Sequence, residues 1–308
     1  MGSKVSRQRK RQSNSPSKKM DAKKVIPSSP VNSTASEKYH TVSSSSYWLA
    51  KDNEEQDRLM GQHFAVKEGF GGNVLPKVLE VVRFDAGTKC LDVGCGPGTW
   101  CLDMATEYPE CQIYGVDMSD IFPEAIRPPN THFMQANVLE GLPFEDNTFD
   151  FVQARLLVAA LKVEQWPLVI KEYLRVLKPG GILQMLEPDY KETGGGASLK
   201  LVQTVIKLCH MRGQNPHIGA DLARLMEEAG LTILENRYST IDHSEDTKLA
   251  AEWIWDWCYF AKVTCEVIGP VVGVSQEDYP QFLKDIESSM KEYHFTTHGY
   301  CVVGQKSS

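Results

Sequence analysis

Three glycines fall within five residues of LDVGCGPGT (91–99), directly after an apolar run. Glycine reaches backbone angles closed to other residues and lets a ligand approach the main chain. A helix following the turn adds oriented N–H groups. A turn of this kind is shared with dinucleotide-binding folds. The spacing here, however, is Gly94-x-Gly96-x-Gly98, not GxGxxG, and there is no Walker lysine. Asp92 precedes the first glycine, where a carboxylate repels a pyrophosphate but suits a cationic amino group. Asp117 ends the next apolar run, 25 residues after Asp92, the place for a carboxylate that bridges two ribose hydroxyls. Together these features fit a phosphate-free nucleoside with a charged amino-acid tail, S-adenosylmethionine.

The elements that must hold these residues are legible from residue 89 onward. Short apolar runs at 89–94, 112–117, 131–137, 149–155 and 181–188 predict strands. Helical spacing between them, notably 99–108 and 164–177, predicts a parallel sheet covered on both faces. Further helices are expected at 197–212, 218–229, 246–268 and 276–293, with strands at 231–240 and 294–305. Pro179-Gly180-Gly181 reads as a turn that ends a helix. Upstream, Asp52 and Glu55 form a capping box before a helix that Gly71-Gly72 breaks, and a second short helix carries Leu75, Val78, Leu79 and Val82.

LDVGCGPG, VDMS (116–119), QANVLEGLPFEDNTFDFV (135–152) and RVLKPGG (175–181) stand in order, and with them the chain resembles a class I S-adenosylmethionine-dependent methyltransferase. GTWCLDMATEYP, IFPEAIRPPN, LPFEDNTFDFV and EDYPQFL are more narrowly similar to the fungal LaeA-like (UMTA-type) methyltransferases. The resemblance implies an α/β, Rossmann-like seven-stranded sheet. Its last strand would be antiparallel, inserted between the fifth and sixth, with a helical insertion before it. It also implies roles. Asp92 and the turn of Gly94, Cys95, Gly96 and Gly98 would hold the methionine end, and Asp117 the ribose. Met118 would pack on the adenine face. Asn137 would accept from the exocyclic amine, with Val138 beside the ring. Many relatives carry Asp at 137, and Asn keeps the acceptor without the charge.

Other residues are open to two readings. Arg155 ends the fourth strand, where it either contacts cofactor or substrate or pairs with a neighbouring acid. Glu187, Asp189 and Tyr190 follow the fifth strand and are candidates for substrate contact or general base, or members of a solvated loop. His63 with Gln62, Arg58 and Tyr47 either cap the pocket or are structural. His210 and His217 read as structural. In EWIWDWCYF (252–260), Trp253 and Trp257 share a helix face opposite Trp255, so the helix is sandwiched in a core or walls an apolar pocket. A wall would imply a lipophilic or aromatic substrate.

The expected organisation is a disordered basic, Ser-rich tail at 1–46 and a catalytic domain at 47–308. Within the latter, 47–86 would be cap helices, 87–190 the cofactor core and 191–308 the substrate side. Residues 1–24 hold nine Lys/Arg against Asp21 alone, while the remainder holds 24 basic and 39 acidic residues. An acidic globule is not expected to bind nucleic acid. Eight cysteines without a CxxC pair suggest buried thiols in a reducing compartment, with no metal site. MGSKVS fits an N-myristoylation pattern at Gly2, and the basic run after it would be the second membrane signal. The expected location is cytoplasmic, at the cytoplasmic face of a membrane; RQRKR as a nuclear-localisation run is the alternative. The expected function is methyl transfer to a small molecule or lipid. The alternative is a cofactor-binding regulator with little turnover, and a dehydrogenase ranks third.

Overall fold

The computed structural model describes residues 53–123 and 126–308. Gly2, the basic tail, Tyr47 and Asp52 of the capping box lie outside the described residues. Helices α1 (Asn53–Phe70) and α2 (Pro76–Val81) precede β1 (Lys89–Val93). Then come α3 (Thr99–Glu107), β2 (Gln112–Asp117), β3 (Thr131–Gln135), β4 (Phe149–Arg155), α4 (Trp166–Val176) and β5 (Leu177–Pro188). The rest comprises α5 (Gly196–Met211), α6 (Ile218–Glu228), β6 (Leu231–Asp242), α7 (Lys248–Val263), α8 (Cys265–Val272), α9 (Tyr279–Glu292) and β7 (Thr296–Lys306).

The seven strands form one sheet in the order β3-β2-β1-β4-β5-β7-β6. The pairs among β1 to β5 are parallel, and β7 runs antiparallel to both β5 and β6. This is the expected seven-stranded arrangement, with α7, α8 and α9 as the insertion before the last strand. Strand side chains alternate between two cores, as a pleat dictates. Cys90, Phe151, Ile182 and Cys301 enter one, with Trp100 and Met104 of α3. Leu91, Val152, Leu183 and Val302 enter the other, with Ile170 and Tyr173 of α4 and Leu222 of α6. Burial on both faces explains why the central strands read as unbroken apolar runs.

Three expectations need correction. Pro179-Gly180-Gly181 lies inside β5. Phe149 pairs with Leu177 and Phe151 with Ile182, so the strand bulges there, with Gly180 at φ 74°. The stretch 246–268 is two helices, because the chain leaves the helix at Thr264, whose hydroxyl donates to the Phe260 carbonyl. The third strand ends at Gln135, and Asn137 instead caps a short 3-10 turn over Val138–Glu140. The eight cysteines are free thiols. Among the described residues no helix is long and apolar enough to cross a membrane.

Candidate functional site

Gly94, Gly96 and Gly98 all adopt left-handed angles, at φ 73°, 54° and 76°. A Cβ at Gly94 would stand 2.5 Å from Leu157, and one at Gly98 2.5 Å from Phe133. At Gly96 the nearest side-chain atom would be 3.8 Å away, so there the backbone angle alone demands glycine. The turn is joined to the end of β2. The N–H groups of Gly94 and Cys95 donate to the Val116 carbonyl at 2.8 and 3.1 Å. Gly96 N–H donates to Asp117 Oδ2 and Ser119 N–H to Oδ1, both at 2.9 Å. Burial raises the Asp117 carboxyl above its ordinary range, and the backbone N–H groups oppose that rise. The Met118 N–H also bonds to this carboxylate, which faces the cavity.

A cavity of about 250 Å³ opens at the carboxyl ends of β1, β2 and β4. The turn residues Gly94, Cys95 and Gly96, then Asp117, Met118, Asn137 and Val138, form one side of it. Asn137 reaches this wall already engaged: Oδ1 accepts from Leu139 N–H at 3.1 Å, and Nδ2 donates to Glu140 at 2.8 Å. One acceptor direction on Oδ1 is left, as an exocyclic amine requires.

Asp92 sits behind the turn and is not among the residues that line the cavity. It is 1% exposed, its Oδ2 accepts only the Cys101 thiol at 3.8 Å, and Oδ1 has no partner. Burial raises its pKa to about 7, with Arg155 opposing and Asp117 reinforcing the rise. An orphaned buried carboxylate beneath a glycine turn is a feature that an ammonium group above the turn would stabilise. Arg155 lines the cavity and donates from Nη2 to His63 Nδ1 at 3.0 Å. His63 Nε2 lies 3.0 Å from Asp103 Oδ2. Asp92, Asp117, Arg155 and the glycine turn thus fit S-adenosylmethionine.

Glu187 lies within β5 and Asp189 and Tyr190 just after it, and of these three candidates the structure brings one to the cavity. Glu187 is fully buried and accepts Leu157 and Val158 N–H at 2.7 and 2.9 Å. Burial raises its pKa to about 8 against those two donors. It fixes the bend at Leu156, whose φ of 59° is a strained conformation for a branched residue. That bend sets Leu157 against Gly94. Asp189 is also buried away from the cavity, 2.9 Å from His217 Nδ1 and 3.4 Å from Lys191. Neither carboxylate is placed to serve as a general base. Tyr190 does line the cavity, edge-on to Trp257, and burial raises its pKa far enough to keep a neutral phenol.

The opposite wall combines aromatic rings with an ion cluster. Trp253, Trp257 and Phe260 of α7 line it, whereas Trp255 is 43% exposed, so the helix has one apolar face in the core and cavity. Arg58 makes a bidentate bond to Glu55 at 2.6 and 2.8 Å and a third to Asp256 at 2.8 Å. Gln62 donates to the other Asp256 oxygen at 3.0 Å. Sequence reasoning did not single out Glu55 or Asp256 for this wall. The i,i+3 spacing of Glu55 and Arg58 was the available signal, while Asp256 lies far along the chain.

Residues 90–181 match the family described as "Methyltransferase domain". The "Secondary metabolism regulator laeA" of Coprinopsis cinerea is 35% identical over 146 residues, 47% of this chain and 36% of that protein. "Methyltransferase str2" of Strobilurus tenacellus is 27% identical over 85% of this chain and 96% of its own length. "N-methyltransferase verN" of Clonostachys rogersoniana is 32% identical over 61% of this chain and 66% of its own. The match to the laeA protein thus spans about a third of that relative.

Proposed function

We propose, since this chain belongs to the class I S-adenosylmethionine-dependent methyltransferases and resembles the LaeA-like group among them, that it methylates a small molecule or lipid with an apolar or aromatic body. The observation that carries this reading is Asp117. Its carboxylate is fixed by Gly96 and Ser119 N–H at the mouth of the glycine turn, and the cavity continues to the Trp253–Trp257 wall. S-adenosylmethionine supplies an electrophilic methyl group on a sulfonium, so the protein's task is position and charge environment. Asp117 would accept from the ribose hydroxyls, Met118 and Val138 would flank the adenine, and Asn137 would accept from its amine. Asp92 would act through its charge from behind the turn. On the acceptor side, Tyr190 would donate a hydrogen bond, and the aromatic wall would exclude water.

The described cavity carboxylates and imidazoles are already engaged: His63 and His298 at both ring nitrogens, Asp256 at both oxygens, Glu55 by Arg58 and Asp117 by backbone N–H groups. Such a site suits an acceptor that needs no early deprotonation. Radiolabelled S-adenosylmethionine incubated with lipid and small-molecule extracts tests the reading. Labelled product that Asp117→Ala abolishes supports it, and binding without any product favours the regulatory reading. The similarity to a protein named as a regulator is what supports that second reading. We also propose peripheral membrane contact through Gly2 and the basic run, which rests on the MGSKVS pattern. Intact-mass analysis tests it, and an unmodified Gly2 would refute it.

A further inference from the structure

We propose that His63 is a positioning residue for the cofactor, holding the Arg155 guanidinium so that its remaining N–H groups receive the carboxylate of the amino-acid end. The inference rests on the cofactor reading above and assigns a role to a helix outside the glycine-turn core.

The hydrogen bonds fix the tautomer. A guanidinium can only donate. Arg155 Nη2 lies 3.0 Å from His63 Nδ1, so Nδ1 is the unprotonated nitrogen. The ring proton is then on Nε2, donated to Asp103 Oδ2 at 3.0 Å. Asp103 is held in turn by Lys67 Nζ at 2.6 Å and Asn73 Nδ2 at 2.7 Å. The imidazole side chain is fully buried. Burial first and Arg155 second lower its pKa to about 4, so the ring is neutral at working pH. Asp103 favours the charged ring and Lys67 disfavours it.

Arg155 is also placed for an anion. Val93 pairs with Ala154, so Gly94 and Arg155 leave neighbouring strands side by side. A guanidinium has five N–H donors. One goes to His63, no hydrogen bond joins Arg155 to Asp92, and the side chain lines the cavity. An ammonium over the turn and a carboxylate at Arg155 match the two ends of one amino-acid group. Because His63 belongs to α1, docking of that helix completes the site.

The test compares two ligands by calorimetry: S-adenosylhomocysteine and its decarboxylated analogue, which differ only in the carboxylate. Wild type should prefer the first by about tenfold or more, the worth of a charge-assisted pair. His63→Leu should reduce that preference to about twofold or less. His63→Asn should retain it, because its Oδ1 takes the place of Nδ1 and accepts from Arg155. His63→Gln presents its amide at the place of Nε2, beside Asp103, and should lose the preference like Leu. If His63→Leu does not fold, the contrast between Asn and Gln still decides. Equal wild-type affinity for the two ligands overturns the inference while leaving the cofactor reading intact. An unchanged preference in the Gln variant does the same. Failure of wild type to bind either ligand overturns both.

Discussion

Replacing Asp117 separates two roles that the structure gives to one carboxylate. The side chain anchors Gly96 and Ser119 N–H, and it faces the cavity as the proposed acceptor for two hydroxyls. A hydrogen bond to a charged acceptor is worth about 1.5–3 kcal/mol. Losing two would cost about 3 kcal/mol or more, some hundredfold in affinity, before water entering the gap returns part of it. Asp117→Ala should therefore weaken S-adenosylmethionine and S-adenosylhomocysteine binding by at least about tenfold. Ala also leaves both backbone N–H groups without their acceptor, so the melting temperature should fall as well. Asp117→Asn keeps one acceptor oxygen and removes the charge, so its affinity should lie between Ala and wild type. Titration calorimetry reads the first effect and thermal unfolding the second. If both variants bind like wild type while melting earlier, Asp117 is only the anchor of the turn. The ribose assignment would then be wrong.

Gly98→Ala should lower stability more than Gly96→Ala. Both strain a left-handed angle, at about 1–2 kcal/mol, but only the Cβ at 98 would stand 2.5 Å from Phe133. At about 2–4 °C per kcal/mol for a domain of this size, thermal melts resolve the difference, and equal melts would contradict the packing argument. Asp92, with a pKa of about 7, should release a proton when a cationic ligand end binds above it. Calorimetry at pH 7 in buffers of different ionisation enthalpy counts that proton, and no buffer dependence would remove Asp92 from the site. The same shift carries a sign for the free protein. A carboxyl raised above its unfolded value keeps its proton in the fold, so its contribution favours the folded state at low pH and is lost as pH rises from about 4 to about 7. Arg58→Met leaves Glu55 and Asp256 without their shared cation, and breaking such a buried cluster costs about 3–5 kcal/mol. Denaturant titration should register a loss of that order, and a variant as stable as wild type would show that the cluster adds nothing.

What was legible in the sequence was whatever a short window encodes. The central strands β1, β4 and β5 could be read because burial on both faces leaves an apolar run, and Asp117 because a strand end and a glycine turn fix its place. The bulge at Gly180 was not, because Pro-Gly-Gly signals a turn and only the pairing of Phe149 with Leu177 makes it part of a strand. The break at Thr264 lacks a Gly or Pro to announce it and depends on a hydroxyl turned back to Phe260. The three polar residues around the end of β5 show the limit most clearly. Topology puts Glu187, Asp189 and Tyr190 at the same end of the sheet, but the tertiary structure divides them. Glu187 takes two backbone donors from the loop after β4, Asp189 takes His217, and Tyr190 alone reaches the cavity. The link from Asp103 through His63 to Arg155 joins residues 40 and 92 positions apart. Local patterning cannot encode a contact of that span, yet it is this contact that ties α1 to the cofactor side. The residues that form the turn could therefore be read in order, whereas those that orient its ligands emerged only when the fold brought them together.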